Sequence, residues 1–90
     1  MKVVIISNEL MDADILIPEI EFPAEPVKGD YIDVETFLEE DNLIKFNNHL
    51  SEVMKLNQGY VRDRSWRNQD GEVMLFIFLE FSNDIENEEN

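Results

Sequence analysis

Two hydrophobic periods divide the chain. In Lys2–Ser7 (KVVIIS) four β-branched residues run together, as in a short strand buried on both faces or placed at a sheet centre. Asn8 and Asp12 then signal a turn. In the following run Ile15 and Ile17 lie on one parity and Ile20 and Phe22 on the other, with Pro18 between them. A parity switch at proline predicts a bulge or an edge strand, because proline cannot donate to a ladder. Pro23, Pro26 and Gly29 mark an extended connection ending in a turn, and GDYIDV (29–34) follows as a short strand.

From about Thr36 to Leu56 the period lengthens. Leu43, Phe46, Leu50, Val53 and Leu56 (or Asn57) recur three or four apart, the single apolar stripe of an amphipathic helix over about 42–57. Asp41 or Asn42 is its expected N-cap, Glu39 and Glu40 suit the positive end of its dipole, and Gly59 is the expected C-terminal stop. Phe37 and Leu38 are read as a separate short turn before it.

The last third alternates again. YVRDRSWR and EVMLFIFLEF flank NQDG, and Asp-Gly between alternating runs predicts a β-hairpin. A loop of two or four residues places Tyr60, Arg62, Arg64 and Trp66 on one face with Val73, Leu75, Ile77, Leu79 and Phe81. Val61, Asp63, Ser65 and Arg67 then share the other with Met74, Phe76, Phe78 and Glu80. A bulge would exchange the faces, since a slip of one residue turns every side chain over. Residues 73–79 are apolar on both sides, so the face opposite the helix needs its own cover. Together these patterns predict an α+β fold: a twisted antiparallel sheet of four to five strands with one main amphipathic helix. It forms a single domain over residues 1–82, and 83–90 is an acidic tail expected to be disordered.

Composition narrows the function. Ninety residues suffice for one small core, and 43% hydrophobic residues with six Phe argue that the chain folds. Twenty-one acidic residues against seven basic ones give a net charge of −14, a field that repels phosphate backbones and anionic lipid surfaces. No direct nucleic-acid or membrane partner is therefore expected, whereas a basic protein surface would be attracted. The absence of cysteine removes disulfides and thiolate metal sites, and MKVVIIS is too short for a signal-peptide core. An intracellular or virion location is the expectation.

Candidate chemistry is sparse. His49, the only histidine, has no companion ligands for zinc and reads as a solvated or half-buried helix residue. Ser7, Ser51, Ser65 and Ser82 have no other base available and no nucleophile-elbow glycines. The acid clusters at Asp12/Asp14 and Glu39/Glu40/Asp41 lack calcium-loop spacing and read as solvated surface. The three glycines are too dispersed to cradle phosphate. No catalytic, metal or cofactor site is expected, and the protein is read as not an enzyme.

What stands out is that all three arginines, Arg62, Arg64 and Arg67, lie beside the only tryptophan, Trp66, with Tyr60 close by. Trp, Tyr and Arg are the residue types that most often carry binding energy at protein interfaces, so these five form a candidate protein-interaction site. The alternative is structural, with the arginines pairing locally and Trp66 covering the end of the core. Two functions follow from different classes: a non-enzymatic module that assembles with itself or a larger complex, or an acidic inhibitor or nucleic-acid mimic binding a basic surface of a host enzyme.

The order VKGDYIDV, an insert, then YVRDRSWRNQDGEVMLFIFLEF resembles small uncharacterised β-rich proteins of Bacteroidetes and their tailed phages. The likeness covers about half the chain, and the helix-length insert departs from a pure SH3-like barrel. It implies a small β-rich domain, a virion component or phage accessory protein, and carries no site residues over.

Overall fold

A computed structural model describes residues 1–83. Strand β1 (Lys2–Ser7) leads into a one-turn helix α1 (Asn8–Asp12), edge strands β2 (Ile20–Glu21) and β3 (Tyr31–Ile32), and a 3₁₀ turn at Val34–Phe37. Helix α2 (Glu40–Glu52) and the long strands β4 (Lys55–Gln69) and β5 (Glu72–Asn83) complete the chain. The five strands form one sheet in the order β2-β1-β5-β4-β3. The α+β class and the single main helix agree with the sequence reading.

The expected all-antiparallel sheet is mixed instead. β5 runs antiparallel to β4 but parallel to β1, with Val3 opposite Leu75 and Ser7 opposite Leu79. A hairpin turn fixes direction only for the two strands it joins. The apolar β5 enters between β1 and β4, where both of its edges and its inner face are covered.

Parity on these strands decides the core. Val3 and Ile5 of β1, Val61 of β4, and Leu75, Ile77, Leu79 and Phe81 of β5 are buried together under Leu10, Ala13, Ile15, Val34, Phe46 and Leu50. Ser7 caps α1: its buried hydroxyl oxygen accepts from the Leu10 N–H at 3.4 Å, which turns the expected loop into a helical turn and drops Leu10 into the core. Phe46 and Phe81 meet edge to face, centroids 5.2 Å apart, at the centre of the helix–sheet contact.

Helix α2 starts and stops earlier than its stripe predicts. Glu39, not Asp41 or Asn42, is the N-cap residue, and it makes no side-chain capping bond; Glu40 and Asp41 occupy the first turn, where the dipole favours them. At the other end Val53 caps the helix and Met54 takes a left-handed φ of +58°, sending the chain into β4. Val53 and Leu56, expected on the apolar stripe, are exposed. Gly59 is therefore not the helix stop. It pairs with Phe81 in the ladder, and a Cβ there would stand 2.9 Å from the Phe81 ring.

The Pro-rich connection closes at Val27–Asp30, where Gly29 has φ +92° and the Asp30 carboxylate accepts the Val27 N–H at 2.9 Å. GDYIDV contributes only Tyr31 and Ile32 to the sheet. Asn83, assigned to the tail, is the last residue of β5; the rest of that tail lies outside the described residues.

Candidate protein-interaction site

The hairpin turn is the two-residue Asp70-Gly71 loop. Both residues have positive φ, +56° and +82°, and Gln69 pairs directly with Glu72. Two successive left-handed residues match the strand twist, which is why Asp-Gly is favoured there. From the turn inward the expected facing holds through Arg64: Trp66 is opposite Leu75 and Arg64 opposite Ile77 on the inner face, while Arg67 and Ser65 face outward with Met74 and Phe76.

At Arg62 the facing changes. Asp63 pairs with Phe78 and Val61 with Leu79, so Arg62 is an extra residue, a β-bulge. Past it, Val61 takes the inner position assigned to Tyr60 and Arg62, and Tyr60 lies outside, opposite Glu80. The Tyr60 hydroxyl donates to Glu80 Oε2 at 2.9 Å. That bond, followed by partial burial, raises the Tyr60 pKa above the ordinary phenol value.

The five candidate residues thus divide rather than forming one patch. Arg64 is half-buried; its Nη1 donates to the Glu25 carboxylate and, at 2.9 Å, to the Pro26 carbonyl, tying the Pro-rich connection to the sheet. Arg67 lays its guanidinium 4.7 Å from the Phe76 ring centroid and shields part of the outer apolar face. Tyr60 is held by Glu80 and meets Tyr31 edge-on, centroids 6.3 Å apart. Arg62 and Trp66 remain solvent-facing. Trp66 is 50% exposed, and its diagonal neighbour across the hairpin, Val73, is 63% exposed. Val73 was visible in sequence only as one more residue of an apolar run.

Topology places this end of the hairpin beyond the body. At ~3.3 Å per residue, the fifteen residues of β4 match the molecule's 49 Å long axis. β1 pairs with β5 only over Leu75–Leu79, and β3 pairs with β4 only at Gly59 and Tyr60. The residues from Arg67 to Met74 pair with no third strand among the described residues, although Lys2 of β1 reaches Glu72 through an ion pair. On the outer face Val4, Ile6, Phe76 and Phe78 are half-buried against one another, while α1 and α2 cover the inner face. Salt bridges pin the margins: Lys2 to Glu72 at 2.8 Å, Lys55 to Glu9 at 3.8 Å, and the amino terminus to Glu21. The first raises the Lys2 pKa and the last lowers that of Glu21.

Elsewhere an open cleft of about 600 Å³ lies beside β3, lined by Tyr31, Asp33, Glu35, Asn57 and Gly59. Its polar groups are partly satisfied among themselves, Asn57 Nδ2 donating to Glu35 and, at 3.3 Å, to Asn47 Oδ1. His49 is half-buried on α2, one of the two placements expected of it, and its buried Nε2 has no hydrogen-bond partner among the described residues. No group of three or more His, Asp or Glu among the described residues could hold a metal ion. No described helix is long and apolar enough to cross a membrane.

Compared with protein-family models, curated proteins and solved structures, the chain finds no match.

Proposed function

We propose that this protein is a non-enzymatic, protein-binding module that assembles with itself or a larger complex through the projecting end of the β4–β5 hairpin. The supporting observation is the diagonal placement of Trp66 and Val73 across the hairpin, both at least half exposed, at positions where no third strand among the described residues pairs with either. Exposed tryptophan beside an apolar neighbour and arginines has the composition of an interface centre rather than of an ordinary surface. Asp70-Gly71 holds the two strands in register, so the patch is presented rigidly and little ordering entropy opposes binding. A virion or phage accessory assembly is one setting that suits such a module.

The test uses Trp66 as its own reporter, since no other tryptophan contributes to the fluorescence. Affinity capture from the producing cells at low and high salt, comparing wild type with Trp66→Ala/Val73→Ser, identifies what the hairpin holds. Titration of the captured protein, or of more of the same chain, then follows Trp66 emission. A salt-resistant partner, lost in the still-folded variant and shifting Trp66 emission to the blue, supports the reading. Capture that ignores the variant and vanishes in salt overturns it in favour of an acidic surface mimicking nucleic acid.

A further inference from the structure

The side of β4 away from β5 carries a second feature. Between Asp63 and Gln69 that edge pairs with no strand, and among the described residues no backbone bond from another element reaches it. Gln69 and Glu72 flank a two-residue turn and so exchange both of their bonds, which makes residues 67, 65 and 63 direct their backbone groups to β5. Arg64, Trp66 and Asn68 direct their N–H and C=O groups to the open side, where the Arg64 N–H donates to the neighbouring Asp63 Oδ1 at 3.2 Å. Val61, before the bulge, behaves as this pattern requires: its N–H donates to Asp30 O and its C=O accepts from Gly29 N, both at 2.9 Å.

An open edge is a template for another strand, and proteins usually defend it with charge. Here the charges complement each other under a two-fold axis. If the edge meets the same edge of a second copy, antiparallel and centred on Ser65, then Asp63 of each copy lies opposite Arg67 of the other, twice over. Arg64 of each copy lies opposite Trp66 of the other, again twice, so that its aliphatic stem packs beside the indole while its guanidinium keeps Glu25 and Pro26. That register also puts the outward backbone groups of Arg64 and Trp66 in bonding positions, the Arg64 N–H exchanging Asp63 Oδ1 for the Trp66 carbonyl of the other copy and freeing that carboxylate for Arg67. A shift by two residues in one direction sets Arg64 against Arg64; the other sets Asp63 against Gln69 and discards both ion pairs. The ladder ends at Asp63, because Val61 is already held by Gly29 and Asp30.

We propose that the partner of the hairpin is a second copy of this chain, joined edge to edge along Asp63–Arg67 in the register centred on Ser65. This rests on the reading of the hairpin as a protein-binding element and names its occupant and mode.

Two experiments on the full chain decide it. In sedimentation equilibrium at physiological salt, wild type is expected to be a concentration-dependent dimer. Asp63→Arg and Arg67→Asp should each weaken it at least about tenfold by opposing like charges. The double variant, which exchanges the signs, should recover most of the affinity, a recovery that misfolding cannot imitate. Separately, the chain has no cysteine, so Ser65→Cys introduces a single thiol. Opposed residues of a non-hydrogen-bonded antiparallel pair have Cα atoms about 4.5 Å apart, within disulfide reach. Mild oxidation should link Ser65→Cys dimers rapidly and Asn68→Cys, on the same edge but far from its own copy, slowly. Equal linking rates, no charge-exchange rescue, or a wild type that stays monomeric each overturn the proposal. A hairpin that still binds a different protein through Trp66 and Val73 would leave the broader function standing; loss of both would remove it too.

Discussion

Gly59→Ala tests the architecture at the point where helix, hairpin and edge strand converge. The backbone of Gly59 does not have positive φ, so alanine fits the local conformation and by itself gains about 0.4–1 kcal/mol by restricting the unfolded chain. Against this, the new Cβ would lie 2.9 and 3.1 Å from two ring carbons of Phe81 and 3.5 Å from the Ile32 carbonyl. The ring cannot withdraw freely, because it is buried and packed edge to face on Phe46, itself fully buried. Overpacking of this kind costs about 1–3 kcal/mol, so the net expectation is a loss of about 1–2 kcal/mol. In a domain of this size that lowers Tm by roughly 5–15 °C. Urea and thermal unfolding of Gly59→Ala, Phe81→Leu and the double variant measure it. Phe81→Leu alone should destabilise through the space it leaves, but in the double variant the alanine methyl occupies part of that space, giving a favourable coupling of about 1 kcal/mol. A glycine that terminated the helix would also resist alanine, yet would show no coupling to Phe81. Additive effects, or a neutral Gly59→Ala, would refute the close packing of Gly59 on the Phe81 ring.

Two further outcomes follow from the same structure. Phe46→Ala should cost about 3–5 kcal/mol in urea unfolding, whereas Ile44→Ala, on the exposed side of the same helix, should stay within about 0.5 kcal/mol; similar losses at both would contradict the observed helix facing. The hydrogen bond to Glu80 raises the folded-state pKa of Tyr60, so its contribution to stability is fully present below the unfolded phenol value near pH ~10 and fades as pH rises through the folded value. Ultraviolet titration of the phenolates should show Tyr60 ionising at lower pH in Glu80→Gln than in wild type, and an unchanged titration would refute the assigned cause.

Local chemistry made several elements legible. Uninterrupted Val and Ile mark β1, the stripe containing Phe46 and Leu50 marks α2, and Asp-Gly between alternating runs marks the hairpin and its two-residue turn. The outer limit of α2 was not legible, because Val53 and Leu56 continue its period; the chain leaves the helix at Met54 so that β4 can begin its ladder at Lys55. The candidate site was legible as a cluster but not as an arrangement. A single bulge at Arg62 returns Tyr60 to the outer face, and Arg64 finds Glu25 and Pro26 thirty-nine and thirty-eight residues away, a partnership no spacing announces.

Residue order alone carries what depends on neighbours along the chain: the α+β class, the identity of the long elements, the turn that joins β4 to β5, and the net charge of −14. What depends on residues meeting from afar emerges with the packed fold. It set β1 parallel to β5, assigned Gly59 to the space beside Phe81, sent Arg64 inward, and left Trp66, Val73 and the β4 edge exposed. Period and turn chemistry act through bonds a few residues apart. Strand order and the side that remains open are set by which apolar faces can be covered together in one small core.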